Sequence, residues 1–154
     1  MDQQTLDRIL STELVSLEEP PDEKRAAIEH LLDIAVDAGR VTDREATLDA
    51  LLEREGETST GVGKGIGIPH AKTDGVAEPT VVFSRSSEGI DFDAPDGKPA
   101  TLLFMILVPA SGSDDHLSIL SSLSRALMDD DVRDRLHAAE SPEAVTDTLL
   151  KAIT

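Results

Sequence analysis

An apolar segment between two prolines, residues 100–108, constrains the fold of this chain more than any other feature. The segment has the sequence ATLLFMILV and lies between Pro99 and Pro109. Its length suits a strand, and because polar and apolar residues do not alternate in it, both faces of that strand must be covered. The segment therefore predicts a central strand in a sheet that has helices on both sides.

Helical periodicity recurs before and after this strand. Residues 22–38 carry apolar side chains at helical spacing, and Gly39 ends the run. Residues 42–45 form a capping box that begins a second helix, which is expected to end near residues 54 and 55 with Gly56 as its stop. Three further helices are expected: one with His116 in its first turn and Leu117, Leu120, Leu123 and Leu127 on one face, one over residues 130–139, and one from Pro142 with Ser141 as its N-cap.

Strand signals lie between and before these helices. Residues 80–84 are rich in β-branched side chains, and residues 12–17 form a short apolar segment that is expected to be an edge strand. Residues 57–78 are expected to form a loop that leads into a short strand, and residues 91–98 a turn-rich excursion. Interleaved helices and strands predict an α/β fold: a layered single domain over residues 1–154, with a mixed β-sheet flanked by helices on both faces.

Charge and composition exclude several classes of function. The chain has 31 acidic and 14 basic residues, which argues against a nucleic-acid partner because phosphate backbones are bound by clustered Lys and Arg. It has no cysteine, which excludes disulfides, a thiolate nucleophile and a Cys-rich zinc site. The N-terminal residues lack the features of a signal peptide, and no apolar run approaches the roughly 20 residues that span a bilayer, so a cytoplasmic protein is expected.

The net charge of −17 is spread along the chain, Asp outnumbers Glu and Lys is scarce. This composition resembles that of proteins from salt-loving organisms. At molar salt the Debye length is about 3 Å, so like charges are screened and an acidic surface is tolerated. The sequence therefore predicts a halophilic domain that is less stable in dilute buffer.

A run of alternating glycines, residues 61–67, stands immediately before Ile68-Pro69-His70. A dinucleotide-binding GxGxxG motif is excluded because Ile66 and Ile68 stand where glycine is required. A P-loop is excluded because Thr58 replaces its first glycine and Gly65 replaces the Ser or Thr that follows its lysine. The glycine run is therefore not a nucleotide site of either kind.

The residues around this run carry a family resemblance. The segment from Glu55 to Ala71, with Arg54 before it and His116 after it, closely resembles the type 2 EIIA domain of the sugar phosphotransferase system. The signature of that family has an acidic or amide residue, an apolar-Gly pair, and a short apolar run that ends in Pro-His and a small residue. This chain departs from the signature at Gly67, where alanine is usual. The glycine is expected to loosen the strand before His70 while the histidine itself is retained. The resemblance covers nearly the whole chain.

The resemblance implies a phosphocarrier. His70 would accept a phosphoryl group from the phosphohistidine of HPr and pass it to a cysteine of EIIB, with EIIC reached indirectly at the membrane. No ATP, metal or other cofactor is implied. Residues 104–109 followed by His116 look most like fructose-type members, which makes fructose uptake and phosphorylation the leading hypothesis. The alternative is a regulatory nitrogen-type EIIA, whose phosphorylation state at His70 controls the binding of a partner.

The candidate side chains suit phosphoryl transfer. Histidine side chains titrate at about pH 6.5 when unperturbed, so a neutral ring nitrogen is available at neutral pH without a strong base. Arg54 offers a planar fork of donors to phosphoryl oxygens, and the resemblance places His116 opposite His70 as a second donor. The hydroxyls of Thr58 and Ser59 are further candidates for contact with phosphate. The resemblance favours the Nε2 (tele) nitrogen as acceptor, while the sequence itself leaves the nitrogen, the sugar and the oligomeric state open.

Structural roles are open for the same residues. His70 can be an ordinary surface or core histidine, Arg54 a charge that complements the dipole at a helix end, and Thr58 and Ser59 turn or cap groups. A third hypothesis for the chain is a structural domain with a vestigial site. It is disfavoured because both histidines and the arginine are present.

Overall fold

The computed structural model describes residues 3–111 and 115–153, with the side chains of residues 4–111 and 118–153. Within these residues, the α-helices are α1 Gln3–Ile9, α2 Lys24–Asp37, α3 Arg44–Glu57, α4 Asp115–Ala126, α5 Asp130–Ala138 and α6 Pro142–Ile153. The strands are β1 Gly61–Gly63, β2 Ile66–Gly67, β3 His70–Lys72, β4 Thr80–Ile90 and β5 Ala100–Val108. Helices and strands are interleaved, as the sequence predicts.

Strand β5 is the centre of a mixed sheet. It pairs with β4 in antiparallel fashion on one edge and with both β2 and β3 in parallel fashion on the other. Ile66 is opposite Leu102 and His70 is opposite Ile106, so β2 and β3 keep one register and are two parts of one strand that is interrupted before His70. Proline has no N–H to give to a ladder, which explains an interruption at Pro69.

The two faces of β5 are buried in two separate cores. Leu102, Phe104 and Ile106 face a core that includes residues from α1, α4, α5 and α6. Leu103, Met105 and Leu107 face a second core, built with α2 and α3. Full burial of a Leu, Ile or Phe side chain is worth about 1.5–3 kcal/mol, which makes this strand the main apolar anchor of the fold. The predicted fold class, a sheet with helices on both faces, is confirmed.

Helix α3 extends further than its sequence signals indicate. Its N-cap is Asp43, whose side chain accepts a hydrogen bond from the Ala46 N–H at 3.1 Å, and not the Thr42 of the expected capping box. At the other end the helix runs through Gly56 to Glu57, and Thr58 caps it in an extended conformation with φ −152°. A glycine stop requires a left-handed residue after the helix. None is used here, so Gly56 is an ordinary helical residue.

The edge strand expected over residues 12–17 is wrong. Residues Thr12–Leu14 form a 3-10 turn, in which the Leu14 N–H donates to Ser11 O at 3.0 Å. Only Val15 forms a bridge, to Phe83. Leu14 is fully buried in the core beneath α2, so burial of this side chain favours a turn over an extended segment.

Strand β4 is longer than the β-branched run that predicts it. The run ends at Ser84, whereas the strand continues to Ile90 and includes Arg85 opposite Leu102. The polar residues that follow Ser84, from Arg85 to Glu88, lack the β-branched and aromatic side chains that predict a strand. Pairing with β5 at Arg85 and again at Ile90 holds the two ends of this polar segment, and between them Ser86 and Ser87 donate to the carboxylate of Glu19.

Acidic side chains crowd the exposed face of α3. Glu45, Asp49, Glu53 and Glu57 recur every four residues and are all exposed. Like charges at this spacing repel each other on a helix. We expect the thermal midpoint to rise as KCl is increased from dilute to molar concentration, because the Debye length falls from about 30 Å at 0.01 M to about 3 Å at 1 M.

A neutralised variant, Glu45→Gln with Asp49→Asn, provides the matched control in the same thermal melts. It should be more stable than the natural chain in dilute buffer and nearly equal to it in molar KCl. A midpoint that is flat or falls with KCl would contradict the screening argument.

Within the part of the chain that the structure describes, no helix has the length and apolar character needed to cross a membrane.

Candidate functional site

His70 is the first residue of β3, and its ring is fixed by the backbone just before it. Its Nδ1 lies 2.8 Å from the carbonyl oxygen of Ile68. A carbonyl can only accept, so Nδ1 carries the proton and Nε2 keeps its lone pair. Pro69 restricts Ile68 to an extended conformation and its own carbonyl accepts from the Ile106 N–H at 3.0 Å, so the chain entering His70 is held on β5.

Arg54 contacts the other ring nitrogen. Its Nε donates to Nε2 of His70 at 3.2 Å, which agrees with a lone pair on Nε2. The Arg54 Nη1 lies 3.5 Å from a carboxylate oxygen of Glu57, and the Arg54 side chain is 42% exposed. The last turn of α3 therefore brings an exposed guanidinium to the nitrogen of His70 that is free of a proton.

The His70 ring borders an open cleft of about 430 Å³ between α3, β3 and α4. Among the described side chains its lining is Ala50, Glu53, Arg54, Glu57, His70, Ala71, Lys72 and Leu120. Two carboxylates and two cations line the cleft, so the attraction of the cations for a bound phosphoryl group would be partly cancelled by the carboxylates. Such a lining suits a group that must be released again.

His116 lies in the first turn of α4, as the sequence predicts. Leu120, one turn further along the same helix, lines the cleft beside His70. The side chain of His116 lies outside the described part of the chain. Its role as a second donor therefore stays a prediction.

Thr58 and Ser59 do not line the cleft in this structure. Thr58 is the exposed C-cap residue of α3. The Ser59 hydroxyl donates to the carbonyl oxygens of Phe92 and Asp93 and accepts from the Gly61 N–H at 3.2 Å. The structure thus brings Arg54 to His70 but gives these two hydroxyl residues positions elsewhere in the loop.

A largely buried cluster at the end of α3 consists of Glu55, Thr60 and Lys24, none of which is a predicted site residue. Glu55, whose side chain is 8% exposed, accepts hydrogen bonds from Thr60 and lies 2.6 Å from the ammonium of Lys24. Lys24 also lies 5.3 Å from the centre of the Phe92 ring. The only sequence signal for this cluster is the acidic position that begins the signature, next to Arg54. A signature states a residue type and does not give its partners.

Gly67, the departure from the signature, lies between two apolar side chains. A Cβ at this position would be 3.3 Å from Leu103 and 3.3 Å from the Phe92 ring. The glycine therefore leaves room for Phe92, which is fully buried. Strand β2 still pairs with β5 here, with Gly67 opposite Leu103.

The model of the EIIA 2 family of the phosphoenolpyruvate-dependent sugar phosphotransferase system matches residues 8–152. Together with the layered fold and the His70–Arg54 pair, this match places the chain in that family: it is a type 2 EIIA domain, and so a phosphotransferase component. A fructose-specific EIIA component of Haloferax volcanii is 66% identical over 153 residues, which are 99% of each chain. That relative also fits the halophilic composition.

Two solved structures have the same fold. The nitrogen regulatory protein IIA-Ntr of Neisseria meningitidis superposes with a TM-score of 0.82 at 32% identity, covering 94% of this chain and 98% of that one. The mannitol EIIA of Escherichia coli superposes with a TM-score of 0.78 at 29% identity, covering 90% and 95%. That mannitol domain was solved in complex with phosphorylated EIIB, so a domain of this fold works with an EIIB partner.

Proposed function

We propose that this chain is a fructose-type EIIA phosphocarrier, which accepts a phosphoryl group on Nε2 of His70 from phosphorylated HPr and passes it to a cysteine of EIIB. The observation that carries the proposal is the fixed His70 ring, with Nδ1 bonded to Ile68 O and Nε2 at the cleft beside Arg54. The 66% identity to a fructose-specific EIIA component supports the sugar type. The carrier would act in the cytoplasm and reach EIIC through EIIB.

The geometry supports a direct transfer without an added base. The Nε2 lone pair of His70 attacks phosphorus, the N–P bond of phospho-HPr breaks, and its electron pair returns to the HPr imidazole. The His70 ring becomes cationic, and its Nδ1–H remains on the Ile68 carbonyl as a stronger, charge-assisted hydrogen bond. In the second step an EIIB thiolate attacks the same phosphorus, and the N–P electrons return to Nε2.

Arg54 has to change its partner during the first step. In the resting structure its Nε–H occupies the lone pair of Nε2, which is the atom that must attack. The exposed guanidinium can move from the ring to an oxygen of the incoming phosphoryl group, where it would stabilise charge in the transition state. Glu57 beside it moderates this attraction and favours release to EIIB.

His116 completes the proposal as a second donor to the phosphoryl group, on the basis of its position in the first turn of α4. Ser59 could contact phosphate only after giving up its hydrogen bonds to Phe92 and Asp93, and Thr58 is exposed and would have to turn toward the cleft. Neither hydroxyl is required for the transfer described above. No cofactor or metal takes part in this proposal.

Incubation with phosphorylated HPr tests the carrier function. The folded chain in molar KCl should gain one phosphate, seen by intact mass, and alkaline peptide mapping should locate it on the peptide that contains His70. Brief acid treatment should remove the label, because phosphoramidates hydrolyse in acid. A folded protein that takes up no phosphate would contradict the proposal.

A regulatory function of the nitrogen type is the second candidate. The observation that favours it is the likeness to IIA-Ntr of Neisseria meningitidis, whose TM-score of 0.82 exceeds the 0.78 of the mannitol EIIA. The chemistry at His70 would be identical, so transfer to a sugar-specific EIIB distinguishes the two functions. Rapid transfer to the cysteine of a fructose-type EIIB supports transport, and no transfer from fully phosphorylated protein supports regulation.

A further inference from the structure

We propose that Glu55 is a positioning residue for phosphoryl transfer, which holds the His70 ring in its reactive orientation through Thr60 and Ile68. This inference rests on the proposed function of His70. Glu55 does not contact His70 itself. It follows Arg54 in the last turn of α3, and three successive hydrogen-bonded contacts connect it to the ring nitrogen that Arg54 does not reach.

The first contact is between Glu55 and Thr60. One carboxylate oxygen of Glu55 accepts from the Thr60 hydroxyl at 2.6 Å, and the other accepts from the Thr60 N–H at 2.9 Å. Thr60 is only 4% exposed. Two hydrogen bonds to one buried residue fix both its side chain and its backbone relative to the end of α3.

The second and third contacts lead from Thr60 to the ring. The Thr60 carbonyl accepts from the Ile68 N–H at 2.9 Å, and the Ile68 carbonyl accepts from Nδ1 of His70 at 2.8 Å. Ile68 is 2% exposed and lies between strands β2 and β3, where the ladder to β5 is interrupted. Because the sheet does not hold Ile68 directly at this point, the Thr60 carbonyl is its backbone partner.

Lys24 is the cationic partner of Glu55. Its ammonium lies 2.6 Å from Glu55 Oε2, and both side chains are largely buried, at 22% and 8% exposure. A buried carboxylate without a cation or hydrogen-bond donors is costly. Glu55 has both kinds of partner, so it can remain an acceptor for two Thr60 donors at once.

Two adjacent residues of α3 thus act on opposite nitrogens of one imidazole. Arg54 donates to Nε2 directly. Glu55 acts through Thr60, which fixes the Ile68 carbonyl that accepts from Nδ1–H. The extension of α3 to Glu57 keeps both residues in helical geometry. Displacement of a reacting group by about 1 Å can lower a rate on the order of 100-fold, so a modest shift of Ile68 is enough to matter.

The test is Glu55→Gln, which keeps the size of the side chain but removes its charge and places an amide donor against Lys24 or Thr60. We expect the maximal rate of phosphorylation by phospho-HPr to fall about tenfold or more, with KM for phospho-HPr unchanged because the docking surface is intact. In NMR spectra of unphosphorylated protein, the His70 Nδ1–H signal should exchange with water faster than in the natural chain.

Asp96→Asn is the matched control. Asp96, in the turn before β5, accepts from the Lys64 N–H of the β1–β2 hairpin at 2.9 Å and from the nearby Lys98 N–H at 3.0 Å. These bonds, that of Lys64 first, lower the pKa of Asp96. The variant loses the same charge from a residue that bonds the β1–β2 hairpin, but outside the contacts to His70. Its KM, maximal rate and Nδ1–H exchange should equal those of the natural chain.

Thr60→Val and Thr60→Ser provide a second, milder pair. The valine removes the 2.6 Å hydroxyl bond and should slow transfer severalfold, whereas serine should restore it. If Glu55→Gln does not fold in molar KCl, the two Thr60 variants test whether the Glu55–Thr60 contact positions His70. Natural rates and natural Nδ1–H exchange in the folded variants would overturn the inference. Failure of the natural chain to accept phosphate would instead overturn the proposed function. The NMR measurement uses unphosphorylated protein without HPr, so it distinguishes the two failures.

Discussion

Replacement of His70 by alanine is expected to abolish phosphoryl uptake from phospho-HPr. The substitution removes the attacking Nε2, and His70 is the only histidine among the described residues that line the cleft. Loss of the nucleophile from an enzyme that works by a covalent intermediate lowers turnover by about 10⁴-fold or more. Label on the variant should therefore be undetectable by intact mass under conditions that label the natural chain completely.

Stability has to be measured beside activity, because the same substitution leaves the Ile68 carbonyl without its ring donor. An unsatisfied buried polar group costs about 1–3 kcal/mol, so the variant should melt lower yet remain folded in molar KCl. His137→Ala is the matched histidine control: His137 is exposed and its Nε2 lies 2.9 Å from the Thr101 hydroxyl. It should take up phosphate normally. Acid-labile label on folded His70→Ala would rule out His70 as the acceptor.

Replacement of Arg54 by glutamine is expected to have the second-largest effect. Removal of one preorganised donor to transition-state charge lowers turnover by about 10²–10³-fold in other enzymes. Arg54→Lys should recover part of this loss, because a lysine keeps the charge but not the planar fork that can bond two phosphoryl oxygens. Single-turnover phosphorylation by phospho-HPr, followed by rapid quench, measures both rates.

Arg44→Gln is the matched arginine control on the same helix. Arg44 begins α3 and donates to Asp33 at 2.7 Å, which raises the pKa of Arg44. It is a surface ion pair at the opposite end of the helix, so its loss should lower stability slightly and leave the rate of phosphorylation unchanged. Equal rates for Arg54→Gln and the natural chain would show that Arg54 is only a helix-end charge.

Local patterns predicted the architecture because burial leaves a direct signal in the sequence. The apolar run at 100–108 could only be satisfied by a strand covered on both faces, and β5 is that strand. The errors fall where a distant partner overrides a weak local preference. Residues 12–14 turn so that Leu14 can enter the core beneath α2, and the polar half of β4 is held by pairing with β5 at its two ends and by Glu19 between them.

The sequence by itself determined which groups are present for chemistry: an imidazole after Pro69, an arginine at the end of a helix, and no cysteine or nucleotide-binding loop. These depend only on residue type and spacing. The tertiary structure decided how the groups are used. It placed the proton of His70 on Nδ1, brought Arg54 to Nε2, turned Ser59 toward Phe92 and connected Glu55 to Ile68. The contact of Nδ1 with Ile68 is local, whereas the contacts of Arg54 with His70 and of Ser59 with Phe92 join residues 16 and 33 positions apart, and Glu55 reaches Ile68 only through Thr60. The longer contacts depend on distances that only the packing of α3 and the loops against the sheet sets.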